Sequence, residues 1–362
     1  MRMPRTRIEQ KQQVALFALN GVFFVSATAQ TDAVAFFIWR YSMDIPKDGC
    51  CPRRRWGKTE LSIPVIAFGS DGFGNRFGHV SDETAIRLMQ RAVELGVNHF
   101  DCARCYGDSL RKIGLAIKQN AIKREDLIIT GRICCHGSGQ WGLFGKGDPE
   151  YASEIADYSS DRVLPDIEDQ LKRLEIDRFD ALLVHGPWPV EPSLAPGGIL
   201  EGLEQARDRG LVDFIGYGMH HPPFHLKAIE SGRVDVLLTY SDYNLLRQNA
   251  ADDILPAAAA HDIGVLNAWS IFRGWLTGLP VASFVPRQEW KEDHHQAENI
   301  RLWCKSQNVD MLQLALQFCL REARIHGNPI GMMNIEQLEM NVAAVLKPLP
   351  DEVFDAFKLA HL

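Results

Sequence analysis

The sequence predicts a single α/β domain, a (β/α)8 TIM barrel, behind an amino-terminal extension. From Pro64 onward, short apolar segments of strand length alternate with longer segments of helical period, and this alternation is typical of parallel barrels. The chain has 362 residues, of which 46% are hydrophobic. A chain of this size and composition can bury one large core, so disorder is not expected.

Eight strands and eight helices are predicted along this region. The strands lie near residues 65–68, 97–101, 127–130, 181–185, 214–216, 234–239, 264–268 and 328–331. The helices lie near residues 81–95, 109–118, 160–174, 198–209, 253–261, 294–307, 311–322 and 335–346. Proline, glycine and charged residues concentrate in 187–197 and 276–293, which predicts loops that shape a pocket at the barrel rim.

The segment 98–107, Asn-His-Phe-Asp-Cys-Ala-Arg-Cys-Tyr-Gly, is predicted to carry the chemistry. Asp101 ends an apolar strand and Tyr106 follows on the loop beyond, and parallel α/β folds place their active sites at these carboxyl ends. Another apolar strand ends at His185. We therefore expect an acid, a tyrosine and a histidine to meet at one rim of the barrel.

The order of these segments along the chain resembles the aldo-keto reductases, and within them the L-galactose and L-fucose dehydrogenase type. Similar stretches occur at 53–61, 157–162, 210–216, 240–246 and 331–342. The resemblance implies a reductase barrel over residues 53–362 with residues 1–52 as the extension. It also implies an NAD(P)-dependent oxidoreductase that moves a hydride between nicotinamide and the carbonyl or hydroxyl carbon of a sugar or small aldehyde.

Three of the family's four catalytic groups have matching positions. The resemblance implies that Tyr106 donates or accepts the proton, that Asp101 supports it, and that His185 orients the carbonyl oxygen. Each residue taken alone also has an ordinary structural explanation. Asp101 could cap a helix, Tyr106 could pack on the rim, and His185 could be a hydrogen-bonded histidine of the core. The three positions together favour the catalytic interpretation.

The fourth group, a lysine, matches Gly131, which is followed by Arg132. Because side chains alternate along a strand, we expect Arg132 to face the helix layer unless the strand ends or bulges there. Without a cation, Tyr106 would keep a pKa of about 10 and remain protonated, which suits reduction better than oxidation. The expectation is a weak or reduction-biased enzyme, or one in which Arg132 or Arg104 supplies the charge.

The resemblance also implies cofactor residues. Gly331 opens a loop and a helix whose backbone N–H groups can hold phosphate, and Asn341 matches an adenine-contacting asparagine. Gln337 falls where NADP-preferring relatives often have arginine, and no lysine or arginine lies nearby in 331–345. This favours NAD, with NADP as the alternative. Trp269 is a candidate to stack on nicotinamide if the strand shifts by one residue, and packing in the barrel is the alternative. For Gly331, Gln337 and Asn341 the alternative is an ordinary strand-to-helix turn.

Charge and cysteine content restrict the partners. The net charge of −7 argues against a nucleic-acid partner, and the run of arginines at 53–55 is predicted to be a solvated strand. We expect a sugar or aldehyde substrate and no stable membrane insertion, while the oligomeric state stays open. Eight cysteines in a chain this long, two pairs of them vicinal, favour a reducing, cytoplasmic compartment over disulfides.

The cysteines also raise the question of a metal. Cys102-x-x-Cys105 lies on the predicted catalytic loop, and Cys134, Cys135 and His136 follow the neighbouring strand. Zinc accepts such ligands, but spacing of this kind is more often incidental, and no metal site is predicted. A thiol-dependent metal or redox protein remains an alternative, as does an impaired barrel that binds nucleotide as a sensor or interaction module.

Residues 1–29 have the layout of an export signal, with a basic start, an apolar run and a small-residue site ending at Ala29. Export is therefore the alternative location. A start at Met43 would remove this segment altogether. No uninterrupted apolar stretch reaches the roughly 18 residues that a membrane span needs.

Overall fold

The computed structural model describes residues 18–19, 22–23, 49–75, 77–135, 157–280 and 291–360. Within them the predicted parallel barrel of eight strands is confirmed. Met43, His136 and all of the proposed export signal except residues 18–19 and 22–23 lie outside the described residues. Four short strands come before the barrel, namely β1 (Ala18–Leu19), β2 (Val22–Phe23), β3 (Arg53–Arg55) and β4 (Ser62–Pro64). The barrel strands are β5 (Ile66–Gly69), β6 (His99–Asp101), β7 (Ile128–Cys134), β8 (Phe179–His185), β9 (Val212–Met219), β10 (Val236–Tyr240), β11 (Gly264–Ala268) and β12 (Asn328–Gly331).

The barrel closes through backbone hydrogen bonds between its last two strands. Strands β5 to β11 pair in chain order, and β12 pairs in parallel with β5. On the other side of β12, the Asn267 N–H donates to the Gly327 carbonyl over 2.9 Å, and Leu266 bridges to Gly327. All carboxyl ends of the strands therefore open on one rim.

Helices cover the outside of the barrel. They are α1 (Asp82–Glu94), α2 (Ser109–Lys118), α3 (Val163–Leu174), α4 (Glu191–Leu194), α5 (Ile199–Asp208), α6 (Pro222–Glu230), α7 (Ile254–Ala260), α8 (Lys291–Ser306), α9 (Met311–Arg321), α10 (Ile335–Leu346) and α11 (Asp351–Leu359). Of these, α4, α6 and α11 were not predicted. In the part of the chain described, no helix combines the length and the apolar character needed to cross a bilayer.

Alternate residues of each strand enter two different cores. Ala181 and Leu183 of β8 lie inside the barrel with Trp56. Leu182 and Val184 of the same strand pack in the layer between barrel and helices. This alternation decides which side chains reach the interior.

The β3–β4 hairpin lies at the amino-terminal ends of the barrel strands. Its Trp56 is fully buried, with its ring 5.1 Å from that of His99. The neighbouring Arg54 is 3% exposed, so the prediction of a solvated strand is wrong for this residue. Its guanidinium donates to the carbonyls of Leu320, Glu322 and Ile325 at the end of α9. Burial lowers the pKa of Arg54 to about 10.

Candidate functional site

Arg132 joins the predicted acid and tyrosine into one buried unit. Asp101 is the last residue of β6, Tyr106 lies on the loop that follows, and Arg132 lies on β7. The Arg132 Nη2 atom lies 2.7 Å from Asp101 Oδ1, while Nη1 donates a hydrogen bond to the Tyr106 hydroxyl oxygen. Arg132 and Asp101 are 2% and 4% exposed. The guanidinium thus bridges a carboxylate and a phenol at the rim.

The prediction that Arg132 faces the helix layer is wrong. Strand β7 continues to Cys134, four residues past the predicted end at 130. In its register Gly131 pairs with Leu182 and Arg132 with Leu183, and Leu183 is an interior residue. The interior position is therefore 132, and the chain carries its cation there.

Position 131 cannot hold the catalytic cation, because a side chain there would point away from the barrel interior and into the layer under the helices. A Cβ atom at this position would lie 2.5 Å from Phe179 Cε1 and 2.9 Å from Leu182 Cδ2, in the layer under the helices. Arg104, the other candidate cation, lies with its Nη1 atom 3.1 Å from Asp166 Oδ1. Neither Gly131 nor Arg104 enters the site.

A glycine on β9, the second strand along from β7, makes room for the guanidinium. A Cβ atom at Gly218 of β9 would lie 3.3 Å from Arg132 Nε, closer than ordinary van der Waals contact. Among the described residues, buried Nε of Arg132 has no hydrogen-bond partner. The guanidinium is therefore held by its two terminal nitrogens, with its third donor facing Gly218.

Burial sets the direction of the pKa shifts of Tyr106 and Asp101, but not that of Arg132. It raises the pKa of Tyr106 well above the usual range, although the Arg132 charge acts in the opposite direction. Burial also raises the pKa of Asp101, again against the effect of Arg132. For Arg132 burial disfavours the charge, but Asp101 and Tyr106 outweigh it and the pKa is raised. At neutral pH the phenol thus keeps its proton.

His185 ends β8 beside this unit and contacts two cysteines. Its ring is edge-on to that of Tyr106, with centroids 6.0 Å apart. Its Nδ1 atom lies 3.3 Å from Cys134 Sγ and 3.5 Å from Cys105 Sγ. A hydrogen bond with Cys105 lowers the pKa of Cys134 well below its usual range, and the charge of His185 adds to this effect. Cys102 instead packs in the layer under the helices.

The predicted adenine-side residues lie on β12 and α10. Gly331 is exposed at the end of β12, and a Cβ there would lie 3.6 Å from the Gly72 backbone nitrogen. Gln337 Oε1 accepts from the Met333 N–H over 2.8 Å, so its side chain folds back on the turn. Asn341 is 4% exposed on the inner face of α10.

Trp269 follows β11 with a positive φ of 64°. Its ring centroid lies 5.5 Å from that of Tyr240, at the end of the neighbouring strand. The guanidinium of Arg273 lies 5.4 Å from the Trp269 ring and 6.0 Å from the Phe77 ring on the β5–α1 loop. Trp269 therefore belongs to an aromatic and cationic cluster that spans two rim loops, and the sequence did not indicate Arg273 or Phe77.

A second pair that the sequence did not reveal lies at the ends of β9 and β10. The His220 Nδ1 atom is 2.9 Å from Oδ1 of the fully buried Asp242. Asp242 Oδ2 also accepts from Thr239 Oγ1 over 2.5 Å. Asp242 raises the pKa of His220, although burial acts in the opposite direction.

Comparison with known proteins identifies the family of the chain. Residues 65–360 match the model of a family described as the "Aldo/keto reductase family". The chain is 28% identical over 297 residues to L-galactose dehydrogenase of Arabidopsis thaliana, covering 81% of this chain and 87% of that protein. It is 26% identical over 307 residues to D-threo-aldose 1-dehydrogenase of a Pseudomonas species, covering 80% and 92%.

The fold of the chain is also similar to that of solved aldo-keto reductase structures. The holo form of an aldo-keto reductase from Bacillus halodurans matches with a TM-score of 0.69 at 22% identity, over 84% of this chain and 95% of that one. Because the family match spans most of the chain, the protein belongs to the aldo/keto reductase family and is an NAD(P)-dependent oxidoreductase.

Proposed function

We propose that the protein reduces the carbonyl group of a sugar or small aldehyde, with Tyr106 as the proton donor. The observation that carries this proposal is the Arg132 guanidinium, which contacts both the Tyr106 hydroxyl and the Asp101 carboxylate. In this role Arg132 replaces the family lysine, Asp101 anchors Arg132, and His185 orients the carbonyl oxygen. The relatives named for aldose and galactose oxidation support the sugar class.

The hydrogen bonds around Tyr106 favour reduction over oxidation. Because Arg132 can only donate, the Tyr106 oxygen is the acceptor in their hydrogen bond. The hydroxyl proton of Tyr106 is then available for another acceptor, and a substrate carbonyl oxygen is suited to receive it. Oxidation would instead require Tyr106 to be a tyrosinate that accepts the proton of the alcohol, and burial disfavours that anion.

For the cofactor we propose NAD, held by Gly331, Gln337 and Asn341, with Trp269 beside the nicotinamide. The stretch 331–345 carries Glu336 and Glu339 but no lysine or arginine, so it supplies no cation for a 2′-phosphate. Negative side chains there would repel that group. NADP is the alternative that a binding experiment separates.

Nucleotide binding tests the cofactor proposal. NADH and NADPH are titrated separately against the full-length protein, and the quenching of its eight tryptophans is followed. We expect NADH to bind with a dissociation constant in the micromolar range, at least about tenfold below that of NADPH. Tighter binding of NADPH would overturn the NAD preference. No binding of either by folded protein would overturn the oxidoreductase mechanism proposed here.

Substitution of Arg132 tests its role in the site. Arg132→Met should lower the rate of aldehyde reduction by about a hundredfold or more, with NADH binding retained. Arg132→Lys restores a charge but only one donor centre, so we expect an intermediate rate. Equal rates for Arg132→Met and the natural protein would contradict the proposal. Binding of NADH without reduction of any aldehyde by the natural protein would favour the nucleotide-binding sensor instead.

A further inference from the structure

Three potential metal ligands meet beside Tyr106, one from each of three neighbouring strand ends. Cys105 lies on the loop after β6, Cys134 ends β7, and His185 ends β8. Cys134 and His185 are register partners in the parallel sheet. The two sulfur atoms and the nearest imidazole nitrogen all lie within 4.8 Å of one another. Both cysteines are buried, at 1% and 3% exposure.

The two sulfur-to-nitrogen separations in this cluster are close to those around a tetrahedral zinc ion. Zinc lies about 2.3 Å from a thiolate sulfur and about 2.0–2.1 Å from an imidazole nitrogen. In a regular tetrahedron these bond lengths place sulfur about 3.6 Å from nitrogen. The His185 Nδ1 atom lies 3.3 Å from Cys134 Sγ and 3.5 Å from Cys105 Sγ. Adjustments of a few tenths of an ångström in these two separations would therefore bring His185 Nδ1 and each sulfur to the spacing that one ion requires.

A hydrogen bond between Cys105 and Cys134 and the contact of Cys134 with His185 Nδ1 link the three side chains directly. A zinc ion would instead draw one bond from each of the three atoms. Two sulfurs and one imidazole are ligands that zinc prefers.

We infer that Cys105, Cys134 and His185 form a zinc site at the edge of the reductase centre. Three ligands from the described part of the chain leave one coordination position for water or a fourth ligand. The zinc would bind His185 through Nδ1, which fixes the ring proton on Nε2. If the proposed function holds, Nε2 is then fixed as a hydrogen-bond donor for the substrate carbonyl.

Metal analysis of the full-length protein tests this site without any nucleotide or substrate. The protein is kept reduced, incubated with Zn²⁺, dialysed against metal-free buffer and analysed by mass spectrometry for metals. We expect about one zinc per chain. Cys105→Ser and Cys134→Ser should retain less than about a tenth of that amount. The matched control is Cys319→Ser, a fully buried cysteine on α9 far along the chain, which should keep its zinc.

Cobalt provides a readout that needs no variant. Titration of metal-free natural protein with Co²⁺ should produce visible d–d bands of tetrahedral geometry and a near-ultraviolet thiolate band, saturating at about one equivalent. Absence of both bands and of retained zinc, in protein whose thiols are reduced, would overturn the inference. Equal zinc in Cys134→Ser and Cys319→Ser would also overturn it. Zinc binding together with failure to bind NADH would contradict only the proposed function.

Discussion

The guanidinium of Arg132 acts on two groups at once because its donors form a rigid planar fork. One terminal nitrogen serves Tyr106 and the other serves Asp101. A lysine ammonium at the same place would be a single point charge on a flexible stem. The arginine therefore fixes the distance between acid and phenol as well as supplying a charge. Gly218 is part of this arrangement, since a larger residue there would press on Arg132 Nε.

Substitution of Gly131 should destabilise the protein without improving the site. In Gly131→Ala the new methyl group would meet Phe179 Cε1 at 2.5 Å, and overpacking of this kind costs about 1–3 kcal/mol of unfolding free energy. Urea unfolding measures this cost. Gly331→Ala is the control, because its methyl group would meet its nearest neighbour at an ordinary 3.6 Å. Equal stability of the two variants would show that position 131 does not face the packed layer.

Stability should depend on pH through His220. Asp242 raises the pKa of His220, while Arg247 and burial oppose it. The folded state thus binds this proton more tightly, so the stabilisation is fully present below about pH 6.5 and is lost as pH rises through the folded-state pKa. The stability advantage of the natural protein over His220→Gln should shrink between about pH 5.5 and about pH 8.5 in urea unfolding.

The exposed His261 provides the matched control for this pH dependence. His261→Gln should follow the natural protein across the same pH range. The proposed effect of the His220–Asp242 pair would be contradicted if the difference in unfolding free energy between His220→Gln and the natural protein stayed constant or widened as the pH rises.

Four residues of the site show how much of it could be predicted from the sequence. Asp101, Tyr106 and His185 were predicted to converge, and the structure brings them together, because each follows a recognisable apolar strand. The orientation of Arg132 was predicted wrongly because the family lysine was matched to Gly131, which made 131 the interior position of the strand. The strand was also ended too early, at 130. The apolar residues Ile133 and Cys134 beyond it were a signal that the strand continues.

At the scale of elements, a buried lysine on α2 holds the loop between β5 and α1. The Lys112 ammonium donates to the Phe73 carbonyl over 2.9 Å, to Asn75 Oδ1 over 3.0 Å and to the Val80 carbonyl over 2.5 Å. The same loop carries Phe77 of the rim cluster. One side chain of a helix therefore positions a loop at the mouth of the barrel.

Lys112→Met should loosen this loop. The change leaves the Phe73 and Val80 carbonyls without the Lys112 donor, while Asn75 Oδ1 keeps the Val80 N–H. The loss should lower the unfolding free energy by about 2–4 kcal/mol and increase proteolysis within 70–81. The control is Lys118→Met on the same helix, whose ammonium makes an exposed ion pair with Glu175 and should change stability by less than about 1 kcal/mol. Similar losses in both variants would contradict the role of Lys112.

Element positions were predictable where periodicity was strong. The predicted segments 109–118 and 335–346 coincide with α2 and α10, and 264–268 and 328–331 coincide with β11 and β12. The helix α6 was missed because it begins with two prolines, which suit a first helical turn but also mark loops. The four-residue α4 is too short to show a period.

At the scale of the whole molecule, one end of the barrel is covered by a hairpin and the other end carries the candidate site. The β3–β4 hairpin covers the amino-terminal ends of the strands and is tied to α9 by Arg54, while the candidate chemistry lies at the carboxyl ends. No sequence pattern separated Arg54 from its neighbours, because its burial depends on carbonyls more than 260 residues further along the chain. Long-range contacts of this kind are invisible to local periodicity.

Arg54→Ala should destabilise the barrel far more than Arg55→Ala. The first change leaves buried carbonyls of Leu320 and Ile325 without a donor, and should cost about 3 kcal/mol or more. Arg55 is half exposed and pairs with Asp262 and Glu60, so its loss should cost less than about 1 kcal/mol. Thermal unfolding followed by circular dichroism distinguishes the two. Equal melting temperatures would contradict the tie between hairpin and α9.

In the proposed reaction Tyr106 would pass a proton to the carbonyl oxygen of the substrate, and a bound nicotinamide would supply the hydride. The most direct measurement is single-turnover oxidation of bound NADH by an aldehyde, in the natural protein and in Tyr106→Phe, with NADH affinity measured in parallel. We expect hydride transfer to slow by about 10²–10⁴-fold in Tyr106→Phe, with affinity unchanged within about twofold. An unchanged rate in Tyr106→Phe, or no transfer from NADH or NADPH in the natural protein, would contradict the account.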